Sequence, residues 1–563
     1  MPDRRWLVQR TNPDYVRYLS RAASVSQAFA QILINRGVST PEHVRAFLDP
    51  AMERLSDPFE LPGMKEAVEV VRGAVSAGRR ILVHGDYDAD GLTGTAVMVS
   101  ALRRLGAEVY HFIPERLVHG YGFNAPGVEH ARRIGAGLIV TVDCGISSME
   151  AVRAAASAGI GVVVTDHHEP VRDASGVPVL PEADAVVNPR LSGGDHPQLS
   201  GSAVAYKLAS ALLGPAASAD LLDLAALGTI GDVIPLVEES RVIVRHGLEL
   251  VTEGLRPGIK ALKDVAGLNG RAVSAGRLAF TVIPRLNAAG RIESPQEVVR
   301  LLLSTDPAES AVIAGRLNEL NLRRQAIEED IHREALSRLK EKGYGRAIVL
   351  ASEGWHEGVV GIVAARLAEA FYRPAFVFNV REGVAKGSAR SIPPFDLYAG
   401  ISMCRDLLLS FGGHRQAAGL KLNARDLDRF EEMINRVVAE SVSEEDLVPT
   451  LTIDAAVGLD EVNFGLLREM SLLEPLGCGN PEPVLGTKGL EVMGPRVVGN
   501  NHLKMRLRHR FRTLDAIGFA MGEMIERIGP DGLVDAVYTP TLNEWEERKA
   551  IQLHLRAFRP SAA

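Results

Sequence analysis

Cysteine is nearly missing from this 563-residue chain, which has only Cys144, Cys404 and Cys478. They stand too far apart for a zinc motif and are too few for a disulfide framework, which suits a reducing cytoplasm. Long apolar runs are missing too. The opening Met-Pro-Asp-Arg-Arg-Trp has no signal core, and no run reaches the ~18 residues of a membrane helix, so neither secretion nor a membrane partner is expected. There is no excess of positive charge: the net charge of −7 excludes a wholly basic nucleic-acid binder but leaves room for a local basic groove. No Ser elbow or Cys nucleophile stands out, and there is no internal repeat or low-complexity segment.

What is present predicts a folded α/β protein. Hydrophobic content of 46% and charged content of 24% are ordinary, and the length predicts roughly three or four domains of about 100–200 residues. Residues 1–50 read as a helical lead-in, with Val25, Phe29, Ile32, Leu33, Val44, Phe47 and Leu48 at helical spacing. Over 51–307, strands at 80–84, 109–113, 138–142, 162–165 and 185–188 alternate with helices, which predicts a mostly parallel sheet covered on both faces. A helix over 308–343 carries Leu317, Leu320, Ile327, Ile331, Leu336 and Leu339 and is suited to bridging two domains. A second α/β unit occupies 344–448. From 449 to 563 the texture becomes short strands and turns, as in a small β-barrel of the oligonucleotide-binding (OB) type.

Two stretches carry chemistry. The first is His84-Gly-Asp-Tyr-Asp-Ala-Asp90, where an apolar strand ends in three carboxylates. Like charges held close repel unless a cation neutralises them, so the stretch is either a divalent metal site or a solvated acidic turn with Asp90 as a helix cap. Two more strands end alike, in Asp143-Cys144-Gly145 and in Asp166-His167-His168, and parallel strands converge at their carboxyl ends. Asp232 is a further ligand or a cap. Many carboxylates, some imidazole and no thiolate favour Mn2+ or Mg2+. Such a set can hold two ions for phosphoester hydrolysis. The second stretch is Asn501–Arg512, where Leu503, Met505 and Leu507 alternate with Lys504, Arg506, Arg508, Arg510 and Arg512. In a strand this predicts five cations on one face, suited to a phosphate backbone.

Asp166-His167-His168 resembles the signature of the DHH phosphoesterase superfamily. Six stretches in order resemble its RecJ family of single-strand-specific exonucleases: 84–94, 141–145, 231–235, 284–291, 354–361 and 412–419. The resemblance implies one metal on His84, Asp88 and Asp143 and another on Asp90, Asp143, His167 and Asp232, with Asp143 as the bridge. It implies that His168 touches the scissile phosphate and that Asp86 only supports. It also implies a DHH-associated domain in which Gly387, Ser388, Arg390, Gly412, Gly413 and His414 meet the nucleotide, with Arg285 and Arg291 as further contacts. Lys504, Arg506, Arg508 and Arg510 would bind the strand. The implied activity is a 5′-to-3′ exonuclease that releases mononucleotides from single-stranded DNA in recombination and repair. It would work as a cytoplasmic monomer, with a single-strand-binding protein and a helicase as partners.

Two rivals remain. A DHH phosphatase acting on short oligonucleotides, cyclic dinucleotides or pyrophosphate would have no use for the basic strand. Phe411, where such phosphatases often carry another Gly, also leans toward the nuclease branch. A binding scaffold with a vestigial metal site need not keep all six ligands. The chain ends at Ala563, soon after the expected barrel, whereas some relatives carry a further domain.

Overall fold

The computed structural model describes residues 4–115, 118–120, 122–173, 175–193, 198–270, 272–529, 531–545 and 548–561. The chain divides into two compact units. One is built chiefly from 284–451, the other from 6–113, 121–283 and 452–563.

In the larger unit, β1 (Arg80–His84), β2 (Val109–Phe112), β3 (Ala136–Val142), β4 (Gly161–Thr165) and β5 (Ala185–Val187) form a parallel sheet in the order β2-β1-β3-β4-β5. The three central strands carry buried apolar runs, at 81–83, 138–140 and 162–164, because helices cover both faces. Leu82, Ile139 and Val162 pack with Val128, Ala131, Val152 and Ala155 on one face. Five helices matter for the site: α1 (Ala89–Arg104), α2 (Ala125–Ile134), α3 (Met149–Ser157), α4 (Gly201–Leu213) and α5 (Leu222–Gly231). The order β1-β3-β4 makes neighbours of the three strands that end in acids.

The smaller unit opens with α6 (Pro307–Lys342), a helix of 36 residues, roughly 54 Å long at the standard rise. Asp306 caps it and Pro307 fills its first position. Its buried stripe includes Leu317, Leu320, Ile331, Ala335 and Leu339, and Leu336 falls one position off that stripe into solvent. Next come β6 (Ile348–Ser352), α7 (Val360–Phe371), β7 (Ala375–Arg381), β8 (Val384–Arg390), β9 (Leu408–Gly413), β10 (Ala417–Asn423) and α8 (Leu427–Ser441). Their sheet order is β9-β10-β8-β7-β6. Only β6 and β7 run parallel, because Glu382 and Gly383, both at positive φ, make a tight hairpin between β7 and β8.

Back in the larger unit, β11 (Leu485–Val498), β12 (His502–His509), β13 (Arg512–Gly518), β14 (Leu533–Trp545) and β15 (Arg548–Pro560) pair in the order β11-β12-β13-β15-β14. A β14–β11 pairing closes the barrel, and β13 and β15 run parallel. The helical lead-in is part of this core: Phe29, Ile32 and Leu33 pack with Leu459, Leu485 and Leu503. Among the described residues, no helix is long and apolar enough to cross a membrane.

Candidate metal centre and nucleic-acid face

The acids lie where the sheet topology delivers them. β1 runs out at His84, and Asp88 caps α1 by accepting from the backbone N–H of Asp90 and Gly91, at 3.0 and 3.2 Å. The capping half of the alternative therefore falls to Asp88. Asp90 instead sits in the first helical turn, only 1% exposed, and turns its carboxylate to the start of α4. There the N–H groups of Gly201 and Ser202 donate to its two oxygens at 2.6 and 2.9 Å. A helix N-terminus carries partial positive charge, and this one holds a buried carboxylate in place.

Among the described residues, three groups have ligand atoms within 4.8 Å of one another: Asp86, Asp88 and Asp143; Asp143, His167 and His168; Asp90, His167 and Asp232. Asp143 and His167 each belong to two groups. His167 Nε2 lies 3.1 Å from Asp143, 3.6 Å from Asp232 and 3.9 Å from Asp90. Asp143 takes a left-handed φ of 62°, fixed by its N–H on the Thr165 carbonyl at 3.0 Å. A non-glycine residue held there costs roughly 1–3 kcal/mol and marks a place where geometry outranks local comfort.

Three glycines make the room. A Cβ on Gly201 would fall 2.5 Å from the Asp143 Cβ. One on Gly228 would fall 2.4 Å from an Asp90 oxygen, and one on Gly91 would fall 2.6 Å from the Asp86 backbone. Sequence reasoning alone passes over all three, although Ser200-Gly201-Ser202 carried a signal: a helix cap followed by a glycine.

Electrostatics separates the members. Burial, then the charges of Asp90, Asp88, Asp232 and Asp86, holds the Asp143 carboxyl well above its usual range. Burial and the charges of Asp90 and Asp88 push Asp232 up to about 8, and burial with Asp90 raises Asp88. Burial also works against charge on Asp166 and His168, but their 2.7 Å hydrogen bond prevails. Asp166 falls to about 2 and His168 rises to about 9, so the pair is carboxylate and imidazolium at neutral pH. Asp166 also accepts from the N–H groups of Ile146, His167 and His168. Its lone pairs are engaged, which makes it an orienting group. His167 is lowered by burial and by the neighbouring His168 cation.

The donor set fits a hard divalent cation. Both ring nitrogens of His167 and one Asp143 oxygen are buried without a hydrogen-bond partner among the described residues. Five carboxylates and imidazole, without thiolate, suit Mn2+ or Mg2+. Cys144 lies outside all three groups, and burial keeps it a thiol.

Of the predicted ligands, the structure brings together Asp88, Asp90, Asp143, His167 and Asp232 and leaves His84 out of every group. The His84 ring packs against Phe112 and Phe123, with centroids at 5.4 and 5.0 Å. A Cβ on Gly127 would lie 2.6 Å from its Nε2, so the α2 backbone covers that nitrogen. Burial pulls the pKa of His84 to about 3. Asp86, expected only to support, also brings a carboxylate oxygen within 4.8 Å of ligand atoms of Asp88 and Asp143. Asp86 and Asp88 follow the strand end in the connection to α1 and Asp90 lies in its first turn, while His84, still in the strand, is aimed by the pleat.

In the smaller unit, Lys386, Gly387, Ser388 and Arg390 lie on β8, Gly412 and Gly413 end β9, and His414 begins the turn to β10. Arg390 donates to Ser388 Oγ at 3.1 Å, and a Cβ on Gly361, at the start of α7, would sit 2.9 Å from that same oxygen. Gly387 has another role than close approach of a ligand, since its Cβ would strike the Phe378 ring at 2.3 Å. Gly412 is open, whereas Gly413 has a φ of 143° and is hemmed in by Ala417 and Ala418. Arg285 donates to Asn318 at 3.0 Å, Arg291 to the Gly358 carbonyl at 3.3 Å, and Lys386 pairs with Glu357.

On the barrel, the five-cation face is reduced. Leu503, Met505 and Leu507 are buried, so Lys504, Arg506 and Arg508 do point outward together. Arg510 leaves the strand in a turn at φ 54°, and Arg512 restarts on β13 in phase with buried Leu514 and Ala516. The neighbouring strands also supply acids. Glu491 on β11 accepts from Arg508 at 2.9 Å, and Asp515 on β13 stands opposite Arg506.

Acidic strand ends around an Asp-His-His run, on this sheet, define a phosphoesterase of the DHH class. Family models match accordingly: the DHH family, N-terminal domain over 80–229, the DHHA1 domain over 325–440, and the RecJ OB domain over 453–557. More narrowly, the chain belongs to the RecJ family of single-stranded-DNA-specific exonucleases. The RecJ of Bacillus subtilis (strain 168) is 39% identical over 559 residues, covering 98% of this chain and 70% of that protein. The crystal structure of RecJ from Thermus thermophilus in complex with Mn2+ superposes with a TM-score of 0.86 at 33% identity, over 99% of this chain and 80% of that one. The same protein in complex with Mg2+ gives a TM-score of 0.80 at 31% identity, over 99% and 79%.

Proposed function

We propose that this chain hydrolyses single-stranded DNA from its 5′ end to mononucleotides in recombination and repair. The supporting observation is the convergence of Asp86, Asp88, Asp90, Asp143 and His167, which follow three adjacent strands, with Asp232, which follows α5. In this reading Asp86, Asp88 and Asp143 hold one Mn2+ or Mg2+, and Asp90, His167 and Asp232, with Asp143 shared, hold a second. When bound, such ions supply a nucleophilic water at neutral pH and Lewis-acid stabilisation of the phosphoryl oxygens. The protein's own part is orientation and charge. The α4 N-terminus fixes Asp90, and Asp166 keeps His168 cationic, which then neutralises charge on the scissile phosphate. Ser388 and Arg390 supply donors to a nucleotide phosphate, with Gly412, Gly413, His414, Arg285 and Arg291 as further contacts. The enzyme works as a cytoplasmic monomer beside a single-strand-binding protein and a helicase.

The small-substrate reading is disfavoured by the closed barrel that matches the RecJ OB domain. The test is long single-stranded DNA labelled at either end, incubated with Mn2+ beside duplex DNA and RNA. Release of the 5′ label as mononucleotide is expected. Turnover of dinucleotides with long strands left intact would overturn the proposal.

A further inference from the structure

Phe511 stands at the tip of the β12–β13 hairpin, wholly in solvent at 106% relative accessibility. His509 and Arg512 pair across the hairpin, so the turn consists of Arg510 and Phe511 alone. Tight hairpin turns with a positive φ at the first turn position favour Gly there, yet Arg510 takes that position at φ 54°. Two adjacent residues thus break local rules: an arginine in a glycine conformation and a phenyl ring in water. Positions that forgo local stability in this way are expected at functional sites.

The charge around the ring has one sign. Residues 509–513 read His-Arg-Phe-Arg-Thr, with no acid. The acids that temper the barrel strand act farther back, where Glu491 takes Arg508 and Asp515 faces Arg506. Arg510 is exposed and forms no ion pair with any described residue. At the far end of β13, Phe519 is 52% exposed and held edge-on between His502 and His554, with centroids 5.3 and 5.4 Å away. Eight residues of extended chain separate the two rings, roughly 25 Å. That is the reach of a few extended nucleotides and falls within the site size of an OB barrel.

A flat apolar ring flanked by cations complements one chemistry on both counts, an aromatic base on a phosphate backbone. We propose that Phe511 is a nucleobase-stacking contact for single-stranded nucleic acid, with Arg510 on the adjoining phosphate and Phe519 as a second platform along the same strand. The proposal rests on the reading of single-stranded DNA as substrate. It assigns binding at this tip to bases as well as to phosphates, where the basic strand by itself implies phosphates only.

The test uses the full chain in EDTA, a thymidine oligomer and an abasic oligomer, each of about 30 nucleotides to exceed the barrel's site size. Phe511→Ala should weaken thymidine-oligomer binding roughly tenfold, the scale of one lost stacking contact, and leave abasic binding unchanged. Phe511→Trp should restore affinity, with tryptophan emission quenched by the thymidine oligomer and not by the abasic one. Unchanged thymidine binding by Phe511→Ala would overturn the Phe511 assignment alone. So would equal losses on both oligomers, or emission that stays unquenched while the thymidine oligomer binds. Failure of the unsubstituted protein to bind either oligomer would overturn the substrate reading as well.

Discussion

The strand ends around Asp143 and the outer face of β12 treat like charge in opposite ways. At the strand ends, Asp86, Asp90 and Asp143 are each no more than 2% exposed, with Asp88 and Asp232 beside them. On β12, cations with the same regular spacing face water, and the neighbouring strands supply Glu491 and Asp515. Two charges 4 Å apart interact by about 4 kcal/mol at the effective dielectric of a protein and by about 1 kcal/mol in water. Buried charge of one sign is therefore relieved by a bound cation or by a bound proton, and the raised carboxyls of Asp143 and Asp232 take the second course in the metal-free protein. Exposed charge is tempered by whatever the cross-strand register brings. A run of carboxylates was consequently a better guide to function than a run of arginines.

The largest expected effect comes from breaking the buried side. Asp143→Ala removes the residue common to two groups and should lower hydrolysis by on the order of 10³-fold, the scale of several kcal/mol of lost charge stabilisation. Binding of single-stranded DNA should remain measurable by fluorescence anisotropy, and turnover that survives would remove Asp143 from its bridging role. Asp166→Ala leaves the groups intact but frees His168 from the partner that holds it near 9. The turnover number should fall about 10–100-fold, the usual loss for an orienting partner. The alkaline limb of its pH profile should move down, and an unmoved limb would count against His168 as the cation.

Gly228→Ala tests the same pocket without touching a charge. Its methyl would meet an Asp90 oxygen and the Ser202 and Thr93 hydroxyls, a destabilisation of about 1–3 kcal/mol, with loss of Mn2+ affinity seen by calorimetry. Metal-free protein should also respond to pH. Asp232 titrates ordinarily at 3.8 and is held up to about 8 in the fold. A raised carboxyl leaves stability full below the lower value and drains it as pH climbs to the upper one. Melting in EDTA should therefore fall toward alkaline pH. Mn2+ at 100 times its Kd should restore about 2.7 kcal/mol, and Asp232→Asn should flatten the slope. The smallest effects belong to the barrel. Arg506→Ala should reduce the salt slope of single-strand binding by about 0.7. Arg508→Ala should do less because Glu491 already takes it, and Glu491→Ala should strengthen binding slightly. Equal slopes for the two arginines would erase the proposed difference.

Where period and punctuation define an element, sequence and structure coincide closely. The strand expected at 80–84 is Arg80–His84, the one at 162–165 is Gly161–Thr165, and the long helix expected over 308–343 is Pro307–Lys342. Apolar runs and an uninterrupted helical stretch are local properties, so one chain suffices to read them. Leu336 strays from its stripe because several phases fit the same leucines until a partner surface selects one. Asp88, Asp90, Asp143 and His167 were legible as a set because strand ends converge in any parallel sheet, whereas Asp232 follows a helix and stayed open between ligand and cap until the family resemblance implied a ligand. His84 and Asp86 were not separable, since four residues about a strand end differ only in where the pleat stops. Gly91, Gly201 and Gly228 were not legible at all: each yields space to a residue that only the folded chain brings against it.

The sequence by itself determined the parallel sheet, the long helix, the closed class of barrel and the sign of charge in each stretch, because periodicity and residue type are carried residue by residue. Only the tertiary structure decided which charges lose their water and which find partners. It put α4 against Asp90, Asp166 against His168 and Glu491 against Arg508. Each decision depends on through-space distance, which sets desolvation and Coulomb energy and is not written in the order of the residues.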